Sequence, residues 1–165
     1  MRKLLPLIAL LGLLILSACG YSMGESEHSV LNPEFRTIAI SGVDNATTQT
    51  WLEPRIRKLL KDELHRRGTI RWVDNTKAAD ALIHINITRY NRPTALEGDK
   101  DQTLRSNASI RLEATIRSTT GDEVLWESGI ISQSWPFYTG QESQADAEVT
   151  SLAIRQLADK MSENY

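Results

Sequence analysis

The stretch ASIRLEATIR, Ala108 to Arg117, sets Ala108, Ile110, Leu112, Ala114 and Ile116 against Ser109, Arg111, Glu113, Thr115 and Arg117. Successive side chains of a strand point to opposite faces, so this period-two alternation predicts a β-strand with one face in a core and one polar face. Strands buried on both faces read instead as continuous apolar runs, so this strand belongs to a sheet covered on one side only.

Working outward, Ala81, Ile83, Ile85 and Ile87 alternate with Leu82, His84, Asn86 and Thr88 in a second long strand. A long connection, Asn91 to Ser106, joins the two. On the other side, the turn Thr119 to Asp122 leads into Val124 to Trp135, where Val124 and Trp126 keep one phase and Gly129 and Ile131 the other. A bulge near Ser128 and Gly129 reconciles the phases.

Further out, Phe35 to Ser41 is a first strand, with Ile38 and Ile40 on one side and Thr37 and Ala39 on the other, ending in Gly42 and the polar cluster Asp44 to Gln49. A helix follows: Thr50 and Glu53 have capping-box spacing, Pro54 sits in the first turn, and Leu52, Ile56, Leu59, Leu60 and Leu64 form a stripe until Gly68. Thr69 to Asp74 is a short strand and Lys77 to Asp80 a turn. A last helix is capped by Ser143 and carries Ala145, Val149, Leu152, Ala153, Leu157, Ala158 and Met161 as its stripe. The fold class is therefore α/β in the α+β sense: a two-layer sandwich with a mixed sheet of about five strands, in the order β-α-β-β-β-β-α, and two helices on one face. A right-handed crossover through the first helix makes the first two strands parallel.

At the N-terminus, Arg2 and Lys3 precede the apolar run Leu4 to Leu16 and the small residues Ser17 and Ala18. The run is far short of the ~20 residues needed to cross a bilayer, so it reads as a cleaved secretory signal. Cys19 is the single cysteine, so it has no intramolecular disulfide partner. The division is residues 1–18 as signal peptide, 19–34 as a polar tether and 35–165 as one domain. Net charge is −2, and −4 without Arg2 and Lys3. That charge and export argue against nucleic-acid binding.

No hydrolase, phosphate-loop or dinucleotide motif occurs, and His28, His65 and His84 do not fall at metal-ligand spacing, so no enzyme, metal or cofactor is read. Trp51, Trp72, Trp126 and Trp135 flank elements that need core material and are read as core. Two features remain. The face carrying Arg111, Glu113, Thr115 and Arg117 is bare if both helices cover the other side; it is either solvated or a partner surface. The connection after Thr88 carries Arg89, Arg92, Lys100 and Arg105, interleaved with Glu97, Asp99 and Asp101. A loop of this length is usually functional or disordered, and its cations suit phosphate contact or a solvated tip.

Leu16 to Cys19 resembles the lipobox of bacterial lipoproteins, in which the cysteine is the mature N-terminus and carries a diacylglycerol and an N-acyl chain. Gly20 stands where an aspartate would retain the protein in the inner membrane, which implies the outer membrane. With Cys19-Gly20-Tyr21, the strand from Phe35 to Ile40, the Asn45-Ala46-Thr47 turn, the Trp51 to Gly68 helix, Lys77 to Ala81, Ile85 to Thr88 and Gly121 to Trp126, the whole chain resembles the LPS-assembly lipoprotein family, LptE. The resemblance implies a lipid-anchored, non-catalytic plug of the LptD β-barrel translocon that helps it assemble and binds lipopolysaccharide; the loop cations Arg89, Arg92, Lys100 and Arg105 are then the candidate lipopolysaccharide contacts. The segment Phe137 to Gln144 lacks the lysine or arginine that some members place there. The alternative is a lipoprotein that activates a periplasmic cell-wall synthase. A tether of roughly 15 residues reaches only ~50 Å, which favours a partner at the outer membrane itself.

Overall fold

The computed structural model describes residues 36–68, 70–93, 105–121 and 123–162; the signal segment, Cys19, the tether, His28 and Lys100 lie outside the described residues. The described residues form β1 (Thr37–Asn45), α1 (Leu52–Arg67), β2 (Arg71–Trp72), β3 (Ala81–Asn91), β4 (Ser106–Ser118), β5 (Val124–Glu127), β6 (Ile131–Phe137) and α2 (Glu142–Ser162). The sheet order is β2-β1-β3-β4, with β5 and β6 end to end along the outer edge of β4. β1 runs parallel to both β2 and β3, and every later pairing is antiparallel. This is the α+β two-layer sandwich with a mixed sheet that the patterning predicts, with six strands where about five were expected.

The alternation decides the layers. Ile83, Ile85 and Ile87 of β3 and Ala108, Ile110, Leu112 and Ile116 of β4 are fully or almost fully buried in one core with Leu52, Ile56, Leu60 and Leu64 of α1 and Val149, Ala153 and Leu157 of α2. At roughly 25 cal/mol per Å² of apolar surface, this layer is the main source of stability. All four tryptophans are partly buried against it.

Five local expectations change. The extra strand comes from the segment Val124 to Trp135. Trp126 pairs with Ile116 and Ile131 with Leu112, so five residues span the distance covered by four of β4. The surplus residue is absorbed where Gly129 takes φ 60°, which splits the strand in two rather than merely bulging it. Buried Ser128 repairs the ladder: its N–H donates to Ala114 O at 2.9 Å, and its hydroxyl accepts from Ala114 N–H at 2.8 Å.

The capping box does not form. Trp51 holds the N-cap position with no side-chain cap hydrogen bond. Its indole N–H donates to Gln49 Oε1 at 3.0 Å, and the Glu53 carboxylate turns to Arg57 at 3.2 Å. Ser143 likewise lies inside α2, which starts at Glu142, and Gln141 O accepts the Ala145 N–H at 2.9 Å. The stop of α1 is as expected: Gly68 at φ 67° returns its N–H to Leu64 O.

The first strand runs four residues past Ser41 because a bulge between Ile40 and Gly42 resets its phase and buries Val43. Gly42 then lies opposite His84, whose ring would stand 3.1 Å from any Cβ there. The second strand shrinks to two paired residues, with Ile70 buried just before it.

Candidate functional site

Both helices lie on the face that carries the alternating isoleucines, so the other face of β1, β3, β4 and β6 has no covering layer among the described residues. Arg111, Glu113, Thr115 and Arg117 all project from β4 onto this open face, with Arg111 and Arg117 exposed and the other two half-buried. The cross-strand neighbours of the first three are polar as well, whereas Arg117 stands between Leu82 and Val124. Asn86 Nδ2 donates to Glu113 Oε1 at 3.0 Å, and His84 Nε2 lies 3.0 Å from Asp44 Oδ2. These are exposed or half-exposed contacts of small net energy, so the face is hydrated rather than locked.

The basic residues of the β3–β4 hairpin do not stay together. A bulge between Ile87 and Arg89 swings Arg89 onto the open face, opposite Arg111. It also turns Tyr90 inward, opposite Ile110. There the ring of Tyr90 meets Trp51 edge-to-face at a centroid distance of 5.4 Å, and its hydroxyl donates to Asp146 on α2. Burial, then the neighbouring Asp146 carboxylate, raises the Tyr90 phenol well above its ordinary pKa. Arg92, expected as a phosphate contact, instead lies against the same carboxylate, with Nε 2.8 Å from Asp146 Oδ1 as a charge contact rather than a directed hydrogen bond. Arg105 is exposed just before β4. Tyr90 and Asp146 were missed in the sequence; the only signal there was an acid on the flank of the last helix's apolar stripe.

At the opposite end of the sheet, Asp80 fastens the start of β1. Its Oδ2 accepts the Thr37 hydroxyl at 2.7 Å and the N–H groups of Thr37 and Arg36 at 2.9 and 3.0 Å, which lowers its pKa. A groove of about 630 Å³ between α1 and β2 is lined by Ile40, Pro54, Arg57, Lys61 and Trp72 among others. Its cations are committed, Arg57 to Glu53 at 3.2 Å and Lys61 to Asp74 at 2.7 Å. No group of three or more His, Cys, Asp or Glu side chains able to hold a metal occurs among the described residues. No helix among them is long and apolar enough to cross a membrane.

The described residues thus form a two-layer α+β domain with one sheet face covered by both helices and the other left open. The chain belongs to LptE, the lipopolysaccharide-assembly family, whose model matches residues 35–164. No curated protein matches the chain by sequence. Among solved structures, it is similar to a subunit of the PelC dodecamer from Paraburkholderia phytofirmans, with TM-score 0.55 and 12% identity over 82% of this chain and 95% of that one. It is also similar to a minor lipoprotein from Acinetobacter baumannii, with TM-score 0.52 and 12% identity over 78% of this chain and 91% of that one. At these identities the likeness speaks for the fold alone.

Proposed function

We propose that this chain is an outer-membrane lipoprotein, anchored on the periplasmic side through diacylglycerol and an N-acyl chain on Cys19, that assembles with and plugs an LptD-like β-barrel translocon. In that place it assists insertion of lipopolysaccharide into the outer leaflet. The observation that carries the reading is the open face of the sheet, which presents His84, Asn86, Arg89, Arg111, Glu113, Thr115 and Arg117 while both helices pack on the other side. The lumen wall of a transmembrane barrel is itself polar, so such a face can lie against it without stranding apolar surface in water.

The direction of the domain supports the same reading. Ile38 near the start of β1 is in register with Ala81 at the start of β3, so the tether joins the end of the sheet opposite the β3–β4 hairpin. Ten residue steps along β3 at about 3.3 Å each separate those ends by roughly 33 Å. The apolar band of an outer-membrane barrel is about 25 Å tall. A domain tethered at the inner leaflet and standing along the barrel axis therefore presents its hairpin toward the far side.

The test is a photo-crosslinking amino acid at Thr115 in the full-length lipidated chain in cells. The expected product is an adduct with one large β-barrel protein. Capture of a periplasmic cell-wall synthase instead, or no adduct at all, would overturn the plug reading.

A further inference from the structure

β1 is paired on both sides only at its start. The carbonyls of Arg36 and Ile38 accept the N–H groups of Arg71 and Val73 at 3.1 and 3.0 Å, and the pairing with β2 ends there. Among the described residues no strand lies beside the rest of β1 on that side, while its other side runs with β3 as far as Asn45. Alternate residues of a strand turn their backbone groups to the same neighbour. The Ala46 N–H donates to Ile87 O at 3.1 Å, so Asp44 faces β3 as well, and the N–H and C=O of Val43 point outward.

This vacant edge borders a trough. Cavities of about 630 and 560 Å³ flank it, and both touch Glu53 of α1. The first has an apolar lining of Ile40, Pro54 and Trp72, and the second is lined by Val43, Asn45 and Thr47 among others. The cations at the rim are paired within this chain, Arg57 with Glu53, Lys58 with Asp62 and Lys61 with Asp74.

We propose that the outer edge of β1, from Ile40 to Asn45, is a docking site for an extended segment of the barrel partner, added to the sheet as a further strand. A row of unpaired N–H and C=O groups is what another extended backbone satisfies. Side chains of that strand alternate, one set entering the pocket of Ile40, Pro54 and Trp72 and the other continuing the open face beside exposed Asp44. With its charges already paired, the trough calls for alternating apolar and polar residues rather than a charged peptide. The bulge between Ile40 and Gly42 disfavours a second copy, because bulged edges resist pairing with one another. The edge adjoins the face proposed to meet the lumen wall, which puts the barrel protein within reach. Strands of a closed barrel have no free edge to offer, so the segment comes from a loop or terminal arm inside the lumen. Only the source of the segment rests on the plug reading.

The test follows amide hydrogen exchange, resolved to single residues, in the mature lipidated chain alone in detergent micelles and in the complex purified with it from outer membranes. In the chain alone, the Val43 amide is expected to exchange at least tenfold faster than that of Asp44, which β3 protects. In the complex, Val43 is expected to slow at least tenfold. A photo-crosslinker at Lys58, exposed on the wall of the trough, is expected to give adducts with one contiguous segment of the barrel protein outside its membrane-spanning strands. Protection of Val43 in the chain alone, equal exchange in both samples, or Lys58 adducts confined to a second copy of this chain would each overturn the proposal. A barrel adduct at Thr115 with Val43 unprotected keeps the plug reading and overturns this one. Protection of Val43 with Lys58 adducts to an extended segment of a protein that is not a barrel keeps the docking strand and overturns the plug reading.

Discussion

The hydroxyl of Tyr90 at the end of β3 donates its hydrogen bond to Asp146 in the second turn of α2, which ties the base of the long hairpin to the helix layer 56 residues further along the chain. Arg92 contacts the same carboxylate, so one acid holds two residues of the hairpin's first arm. Hydrogen bonds to a charged partner contribute about 1.5–3 kcal/mol, and groups in one network couple. Tyr90→Phe is expected to destabilise by about 1–2 kcal/mol and Asp146→Ala by more, with the double variant costing clearly less than the sum in urea denaturation. Additive losses would show that the two side chains act independently.

The same pair sets the alkaline limb of stability. The folded Tyr90 phenol ionises above its ordinary pKa of 10.0 because of burial and the Asp146 carboxylate. Its contribution is fully present below pH 10.0 and is lost as pH rises toward the folded value, since the unfolded chain ionises first. Thermal melts across this range are expected to fall less steeply for Tyr90→Phe than for the wild type.

Glu63 in α1 is buried and held by Arg66 and Arg67, and Arg67 reaches across to Asp159 on α2 at 2.6 Å. The hydrogen bond from Arg66, reinforced by Arg67, depresses the Glu63 pKa below 4.5 against the opposing effect of burial. That contribution is therefore present above pH 4.5 and is lost as pH falls through the folded value. Glu63→Gln is expected to cost about 1–2 kcal/mol at neutral pH and to flatten the acid limb in melts followed by circular dichroism.

Ser128 substitutes for a missing ladder partner between β5 and β6. Removing its hydroxyl in Ser128→Ala leaves the Ala114 N–H without an acceptor inside the sheet, at a cost of about 1–3 kcal/mol. Faster hydrogen exchange at Ala114 is the direct readout. Unchanged protection there would show that another group replaces the hydroxyl.

If Cys19 carries the proposed lipid anchor, Cys19→Ala is expected to release the protein from the outer-membrane fraction, because the thiol is then the point of attachment. Two or three acyl chains at about 0.8 kcal/mol per buried methylene hold far more firmly than any polar contact of the domain. Fractionation that finds the alanine variant in the membrane at the wild-type level would transfer the anchoring role to the barrel.

The layers were legible in the residues alone. Period-two alternation in β3 and β4 and the apolar stripes of α1 and α2 are local properties of the chain, and burying them together favours a two-layer arrangement. Gly68 is legible for the same reason, since a left-handed cap is a property of one residue. The outward set Arg111, Glu113, Thr115 and Arg117 followed directly from the same period. What the tertiary structure alone decided is phase and pairing. The bulges after Ile40 and Ile87 and the kink at Gly129 each shift one residue, and each shift exchanges faces. The second of these sends Arg89 out to meet Arg111 and Tyr90 in to meet Asp146, and Arg92 follows it to the helix. A bulge is placed by the fit between two strands distant in sequence. The division of the hairpin's cations between surface and helix therefore depends on contacts that form only when the sheet and helix layers close together.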